Sequence, residues 1–252
     1  MNQNQTEFMS LDALILCGGK GTRLKPVISN KPKILAKIDG IPFIEYLLNY
    51  LESEGIKRII LCTGYKHNQI KAWVNSSYDG DLDIIFSREK KQLGTGGAIK
   101  NAEELISSKN FLVINGDTFT ELDYKSFVKY FVNKNAVGLI ALKKIEKTEA
   151  YGNIVIDSMN RIISFIEKGN EFDDDYTDSL INAGVYLFNK VCLDYIPNDI
   201  KVSLEYNTIQ LILKKFQGSV YGFCSEGSFI DIGTPLNYYR ANKVINKYAK
   251  PQ

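Results

Sequence analysis

The chain has 252 residues, and its 31 lysines and arginines nearly balance 29 aspartates and glutamates, for a formal net charge of +2. That balance excludes a nucleic-acid binder working through a strong overall positive field. A content of 44% hydrophobic and 24% charged residues excludes disorder, collagen-like repetition and a small disulfide-stapled scaffold. The longest apolar runs, 13–17 and 136–142, fall far short of the roughly 18 residues that a membrane span needs. The N-terminal stretch carries no basic-then-apolar leader pattern. Cys17, Cys62, Cys192 and Cys224 are scattered, and Cys17 and Cys62 fall in or beside apolar runs, where reduced buried thiols are expected. The expectation is a cytoplasmic protein with no membrane segment, no nucleic-acid partner and no structural metal cage.

In chain order, short apolar runs at 11–17, 58–62, 82–87, 111–115 and 136–142 are bounded by Gly, Asp or Ser, the form of parallel strands covered on both faces. Helix-period segments alternate with them. Ile44, Leu47, Leu48 and Leu51 follow the i, i+3, i+4, i+7 pattern, with Gly55 where a C-cap is wanted. Ile70, Trp73 and Val74 repeat it more briefly, and 96–106 and 127–131 fit two more helices. The single histidine, His67, is expected as a solvated residue opening a surface helix rather than as a catalyst. Beyond Tyr151 short extended segments (153–157, 161–167, 180–188) surround the acidic run Asp173-Asp174-Asp175. Ile209, Ile212, Leu213 and Phe216 then mark a helix, and 234–248 a closing one with Pro235 in its first turn. No Pro-, Gly- or Ser-rich linker and no internal repeat interrupts the chain. The expected fold is α/β: a single Rossmann-like, three-layer α/β/α domain with a mostly parallel mixed sheet over residues 10–252, after a short polar tail at 1–9.

The sharpest local feature follows the first strand: Leu16-Cys17-Gly18-Gly19-Lys20-Gly21-Thr22-Arg23-Leu24-Lys25-Pro26, then Lys31-Pro32-Lys33. No helix is expected before about Pro42, and a long irregular connection inside an α/β domain is usually functional. Its place at the carboxyl end of a strand is where open α/β sheets bind ligands. Closely spaced glycines let backbone amides approach phosphate oxygens, and five nearby cations can face a triphosphate. A dinucleotide fingerprint fails because Leu24 stands at the third glycine, and a Walker A loop is absent.

These residues resemble the signature of the sugar-1-phosphate nucleotidyltransferases. Further matches come in order: Leu93-Gly94-Thr95-Gly96-Gly97-Ala98, Asn115-Gly116-Asp117, Glu167-Lys168, Asn182-Ala183-Gly184-Val185-Tyr186, Ser203-Leu204-Glu205, and Phe229-Ile230-Asp231-Ile232-Gly233-Thr234-Pro235. The likeness covers roughly Leu11 to Ala241. It implies the nucleotide-diphospho-sugar transferase fold and an enzyme joining a nucleoside triphosphate to a sugar 1-phosphate. Pro42-Phe43-Ile44-Glu45-Tyr46 and Gly64-Tyr65-Lys66 are similar to the D-glycero-D-manno-heptose 1-phosphate guanylyltransferases. That subgroup implies transfer of GMP from GTP to the heptose 1-phosphate. The chain departs from its relatives at Lys33-Ile34, where many have Lys-Pro, and at Glu205-Tyr206-Asn207, where an acidic residue often follows the glutamate. It also ends soon after its last helix, so no acyltransferase extension and only one reaction are expected.

The chemistry implied is attack by a sugar phosphate oxygen on the α-phosphorus, expelling pyrophosphate. A phosphomonoester has a second pKa near ~6, so no general base is needed; positioning and relief of anionic repulsion are. Asp117 and Asp231 are the expected Mg²⁺ ligands, since two hard carboxylates suit that ion beside phosphates. Arg23 is expected to neutralise the triphosphate, with Lys33 assisting. By resemblance Leu16, Gly18, Gly19, Lys20, Gly21 and Thr22 cradle the nucleotide, while Glu89, Leu93, Gly94 and Thr95 meet the base. Glu89 suits the two donors of guanine, though it also sits in the charged run Arg88-Glu89-Lys90-Lys91, which a solvated loop would explain equally. The resemblance also implies that Gly152, Glu167, Asn182 and Gly184 line the sugar pocket and that Lys168 grips the sugar phosphate, with Glu167 and Asn182 offering polar groups to hydroxyls. Rival readings keep the enzyme but change its substrates to mannose 1-phosphate, or to UTP or dTTP with a hexose 1-phosphate. A different class is a catalytically inactive nucleotide-sugar-binding regulator, which loss of Arg23, Lys33, Asp117 or Asp231 would favour; all four are present. A homo-oligomer is compatible with the sequence, which does not decide the oligomeric state.

Overall fold

A computed structural model of the chain describes residues 10–28, 31–146, 153–166 and 178–249. The first half runs β1 (Asp12–Leu16), a single helical turn α1 (Lys25–Ile28), β2 (Lys37–Ile38), β3 (Ile41–Pro42), α2 (Phe43–Ser53), β4 (Arg58–Thr63), α3 (His67–Ser77), β5 (Asp83–Arg88), α4 (Gly94–Asn101), β6 (Asn110–Asn115), β7 (Thr118–Thr120) and α5 (Tyr124–Asn133). The second half adds β8 (Gly138–Glu146), β9 (Asn153–Ile156), β10 (Ile162–Ile166), β11 (Asp178–Asn189), α6 (Gln210–Lys215), β12 (Val220–Cys224), β13 (Phe229–Asp231) and α7 (Pro235–Ile245). The elements expected from the apolar runs are present within a few residues. The helix expected over 96–106 ends at Asn101 and gives way to a 3₁₀ turn at Glu103–Leu105. The Asp173–Asp175 run lies outside the described residues.

Among the described residues the main sheet has nine strands in the order β10-β9-β11-β6-β1-β4-β5, with β8 on β11 and β12 on β8. The β6-β1-β4-β5 core is parallel throughout. Only β11 and β10 run against the other seven strands. The sheet is therefore mixed at its β11 side and parallel where the first strand's loop emerges.

Alternation along the strands makes the three layers. On β1, Ala13 and Ile15 enter one buried cluster while Leu14 enters the other; Ile59 and Leu61 of β4 oppose Ile60 and Cys62 in the same way. Helix residues Ile44 and Leu48 of α2 and Phe127 and Phe131 of α5 cover the first face. Ile99 of α4 and Ile212 of α6 cover the second. A parallel strand buried on both faces must be apolar at every position, which is why these runs read as continuous. The ends of α2 follow from its sequence. After Ser53, Gly55 takes φ 96°, and the Ile56 and Gly55 N–H groups donate to the Leu51 and Glu52 carbonyls at 3.0 Å each, a glycine-closed Schellman cap.

Several local readings are corrected here. His67 does open α3, but it is buried rather than solvated: its Nδ1 lies 2.8 Å from Thr63 Oγ1 and its ring meets Phe86 edge-on. Burial, with Arg88 and Lys71 nearby, lowers its pKa, so it is a neutral packing residue. The loop after β1 is also less irregular than expected, since it contains 3₁₀ turns at Thr22–Leu24 and Lys33–Leu35 as well as α1. All four cysteines are free, with Cys17, Cys62 and Cys192 buried and Cys224 exposed. No helix among the described residues is long and apolar enough to cross a membrane.

Candidate active site

The parallel strands β1, β4, β5 and β6 deliver their following loops side by side at one edge of the sheet. Three backbone bonds pin the glycine loop there. Cys17 N–H donates to Cys62 O at 2.9 Å, Tyr65 N–H to Gly18 O at 3.0 Å, and Gly116 N–H to Leu16 O at 3.0 Å. Gly21 adopts φ 58°, which a glycine takes without strain, and its carbonyl accepts from Leu24 N–H at 3.1 Å. Fully buried Leu24 anchors this turn from below and leaves Lys20, Thr22 and Arg23 exposed. At Gly19 an added Cβ would meet no protein atom within 4 Å. Gly19 lies instead on the wall of two neighbouring cavities, where the space is open to a ligand.

The first cavity, about 240 Å³, is walled by Gly19, Gly21, Thr22, Arg23, Lys33 and Asp117, with Leu16, Cys17, Ile34, Gly116 and Gly233 completing it. Asp117, on the cavity wall, leads into β7, which pairs with β13 in a separate two-stranded ribbon whose register sets Asp231, next to the wall residue Gly233, opposite Thr118. Ile232 N–H closes the ribbon onto Asp117 O at 2.9 Å. Residues far apart in the chain thus become neighbours. Lys33 Nζ lies 2.5 Å from Asp117 Oδ2, with the lysine side chain 13% and the aspartate 37% exposed. Asp231 accepts from Gly233 N–H at 2.6 Å, and a Cβ on Gly233 would fall within 3.3 Å of both Asp231 and the Arg23 guanidinium. Burial raises the Asp231 pKa, Asp117 raises it further, and Lys33 and Arg23 hold it partly down. Arg23, Lys33, Asp117 and Asp231 are therefore one electrostatic group. Among the described residues no cluster of three or more metal-type side chains exists. A pair of mutually repelling carboxylates fits a magnesium ion that keeps open positions for phosphate and water.

The second cavity, about 280 Å³, shares Leu16, Gly19 and Asp117 with the first and adds Gly18, Glu89, Gln92, Gly94, Thr95, Ala98 and Asn115. Glu89 is partly buried on this wall, not out in a solvated loop. Its Oε2 accepts from Leu93 N–H at 2.9 Å, and its Oε1 lies so close to Gly18 and Gly64 that a Cβ on either would be displaced by it. Burial raises its pKa, with the Leu93 N–H pulling it back. Leu93 itself is a correction. It is buried, its N–H is taken by Glu89 and its carbonyl accepts from Val202 N–H at 2.8 Å, so it supports the wall from behind. The glycines at 94, 96 and 97 also have a packing reason. Gly96 and Gly97 donate to Val202 O at 2.9 and 3.3 Å, and a Cβ on Gly94 would sit 2.5 Å from that oxygen.

Of the residues expected around the sugar phosphate, Gly152, Glu167 and Lys168 lie outside the described residues. Asn182 and Gly184 sit on β11 where its pairing to β8 shifts register. Gly184 takes φ 74° against Asn115, and its N–H donates to Asn182 Oδ1 at 2.9 Å. Three residues that were not assigned a role stand here: Asn115 on the second cavity's wall, and behind it Tyr186 and Glu205, joined to each other and, through Glu205, to Thr95 of that wall. The motif matches had flagged all three positions, yet nothing local said that they would meet.

The sequence profile described as "Nucleotidyl transferase" matches residues 12–248. The chain belongs to the nucleotidyl transferase family. This nucleotidyl transferase is 38% identical over 240 residues to the D-glycero-alpha-D-manno-heptose 1-phosphate guanylyltransferase of Aneurinibacillus thermoaerophilus, covering 94% of this chain and 100% of that one. It is also 38% identical over 229 residues to the enzyme of the same name from Campylobacter jejuni, covering 91% and 97%. Among solved structures, HddC from Yersinia pseudotuberculosis matches with a TM-score of 0.81 at 37% identity, over 95% of this chain and 100% of that one. The structure of HddC complexed with GMP-PN matches at 0.80 with 38% identity, over the same shares. The motif-based resemblance and the expected α/β nucleotidyltransferase fold are both borne out.

Proposed function

We propose that this nucleotidyl transferase moves GMP from GTP to D-glycero-α-D-manno-heptose 1-phosphate, forming GDP-heptose and pyrophosphate. The observation that carries the reading is the junction of two cavities at Gly19 and Asp117, one cationic and carboxylate-lined, the other backed by Glu89. A nucleotide laid across that junction would put its base by Glu89 and its phosphates by Arg23 and Lys33. The heptose guanylyltransferase names among the relatives and the GMP-PN complex of HddC support the choice of nucleotide and sugar.

The steps follow from the side chains. Open space at Gly19 admits the triphosphate against the loop, and the Arg23 guanidinium meets charge that builds on the α-phosphate and pyrophosphate. Lys33, paired with Asp117 on the cavity wall, adds its charge beside Arg23 to offset that of the phosphates. Asn182 and Gly184, with Glu167, Lys168 and Gly152, would present the sugar phosphate for in-line attack. That phosphate is already ionised at neutral pH, so buried neutral His67 has no part in it. Asp117 and Asp231 would hold Mg²⁺, which when bound offsets the repulsion between the two anionic substrates. The reading takes residues 10–252 as one catalytic unit in the cytoplasm.

Guanine presents adjacent N1–H and amino donors that an acceptor such as Glu89 can take together. A base without that pair leaves a buried acceptor unpaired, at about 1–3 kcal/mol. The test is a competition: equal GTP, ATP, CTP, UTP and dTTP, with either the heptose or mannose 1-phosphate, and mass analysis of products. GTP should lead by at least roughly tenfold, equivalent to ~1.4 kcal/mol, and Glu89→Gln should narrow the lead. Mainly UDP- or dTDP-sugar, or no preference for the heptose over mannose, would overturn the assignment.

A further inference from the structure

One polar chain behind the second cavity runs from Thr95, on its wall, to Asn182 and Gly184 on β11. Glu205 is the second residue of a wide π-helical turn, Leu204–Ile209, ahead of α6; such turns are frequent at functional sites. Its two carboxylate oxygens point to different partners. Oε2 accepts from Thr95 Oγ1 at 3.1 Å and from Ser203 Oγ at 3.0 Å. Oε1 accepts from the Tyr186 hydroxyl at 3.1 Å. That hydroxyl in turn accepts from Asn182 Nδ2 at 2.6 Å, and Asn182 Oδ1 accepts from Gly184 N–H at 2.9 Å. Thr95 Oγ1 also accepts from Leu204 N–H at 2.7 Å.

The direction of every link follows from Glu205. An ionised carboxylate only accepts, so the Thr95 and Tyr186 hydroxyls must both donate to it. Having spent its proton, the Tyr186 oxygen can only accept, and the Asn182 and Asn115 side-chain amides both donate to it, while the Gly184 N–H holds the Asn182 amide oxygen. One N–H and one lone pair of Asn182 then remain for a sugar hydroxyl or phosphate. Tyr186 is fully buried beside Phe188, so its hydroxyl has no water to fall back on.

We propose that Glu205 is a positioning residue that orients both substrate walls at once, Asn182 through the Tyr186 hydroxyl and the start of α4 through Thr95. The proposal rests on the guanylyltransferase reading for the identity of the two substrates, not for the relay itself. It makes an asymmetric claim: Thr95 and the start of α4 are reached by Glu205 alone, whereas the Tyr186 hydroxyl serves Asn182 and touches the second cavity only through the Asn115 amide that donates to it.

The experiment compares wild type, Tyr186→Phe, Glu205→Gln and the double variant, well below their melting temperatures. Tyr186→Phe should raise KM for the sugar 1-phosphate by roughly tenfold, with kcat and KM for GTP within about threefold. Glu205→Gln should raise both KM values, and the double variant should be no worse for the sugar phosphate than the worse single one. Unchanged sugar-phosphate KM in both variants would overturn the relay, and so would equal effects of both variants on both substrates. The second readout needs no substrate: in the free protein labelled at asparagine nitrogen, the Asn182 side-chain amide resonances should shift in both variants. If wild type makes no GDP-sugar, the reaction assignment falls, and the relay is decided by those resonances; unshifted signals overturn it.

Discussion

Gly94 and Gly19 belong to the same candidate nucleotide wall, yet the structure gives them opposite reasons for being glycine. At Gly94 the backbone takes φ +73°, and a Cβ would sit 2.5 Å from Val202 O and 3.0 Å from its carbonyl carbon. A left-handed backbone costs a non-glycine residue about 1–2 kcal/mol. Moving Val202 away would strain the Gly96, Gly97 and Val202–Leu93 backbone bonds, each worth ~0.5–1.5 kcal/mol. Gly94→Ala should therefore destabilise the fold by roughly 3–6 kcal/mol, and lower Tm by about 6–24 °C at ~2–4 °C per kcal/mol for a chain of this size. Gly19 has open space and no left-handed φ. Gly19→Ala should hold stability within ~1 kcal/mol but occupy room that a phosphate needs, raising KM for GTP by at least roughly tenfold. Thermal unfolding of both variants, with titration of a non-hydrolysable GTP analogue into each, separates the cases. A Gly94→Ala protein as stable as wild type, or a Gly19→Ala protein with normal affinity, would refute the packing argument for that residue.

Three other outcomes follow from the charges. Asp231→Asn should abolish turnover yet raise Tm at neutral pH, because burial and Asp117 disfavour the ionised form in the fold; the gain over wild type should disappear as pH falls below the unfolded value of about 3.9, and Mn²⁺ binding followed by paramagnetic resonance should weaken in parallel. Arg23→Ala should lower kcat far more than it raises KM for GTP, since Arg23 is placed to meet charge that grows in the transition state; a change confined to KM would assign it uniform binding instead. At Asp12, burial pushes the pKa up, but N–H and hydroxyl donors from Ser107 and Ser108 and the Arg58 guanidinium outweigh it and leave the carboxyl lowered. Its contribution is present above the unfolded pKa and lost as pH falls through the folded one, so Asp12→Asn should cost about 2 kcal/mol or more in urea unfolding at pH 7 and progressively less in acid.

What the sequence by itself determined is whatever a run of neighbours encodes. The strands β1, β4 and β6 were legible because both faces of a parallel core strand are buried, so no polar residue interrupts the run. Helix α2 and its glycine stop were legible because apolar period and cap chemistry are local. The glycine loop from Gly18 to Lys33 was legible as a candidate phosphate site because its residue types are rare together. The resemblance paired Asp231 with Asp117, but what brings them together is tertiary, since β7 and β13 are three-residue strands that acquire their pairing from each other and from nothing nearby. The same holds for buried His67, which carries a surface residue's sequence context, and for Gly94, whose reason lies at Val202. Glu205 is the plainest case. Its two oxygens find partners at Thr95 and Tyr186, and a contact between residues so distant in the chain leaves no mark on the residues beside either one.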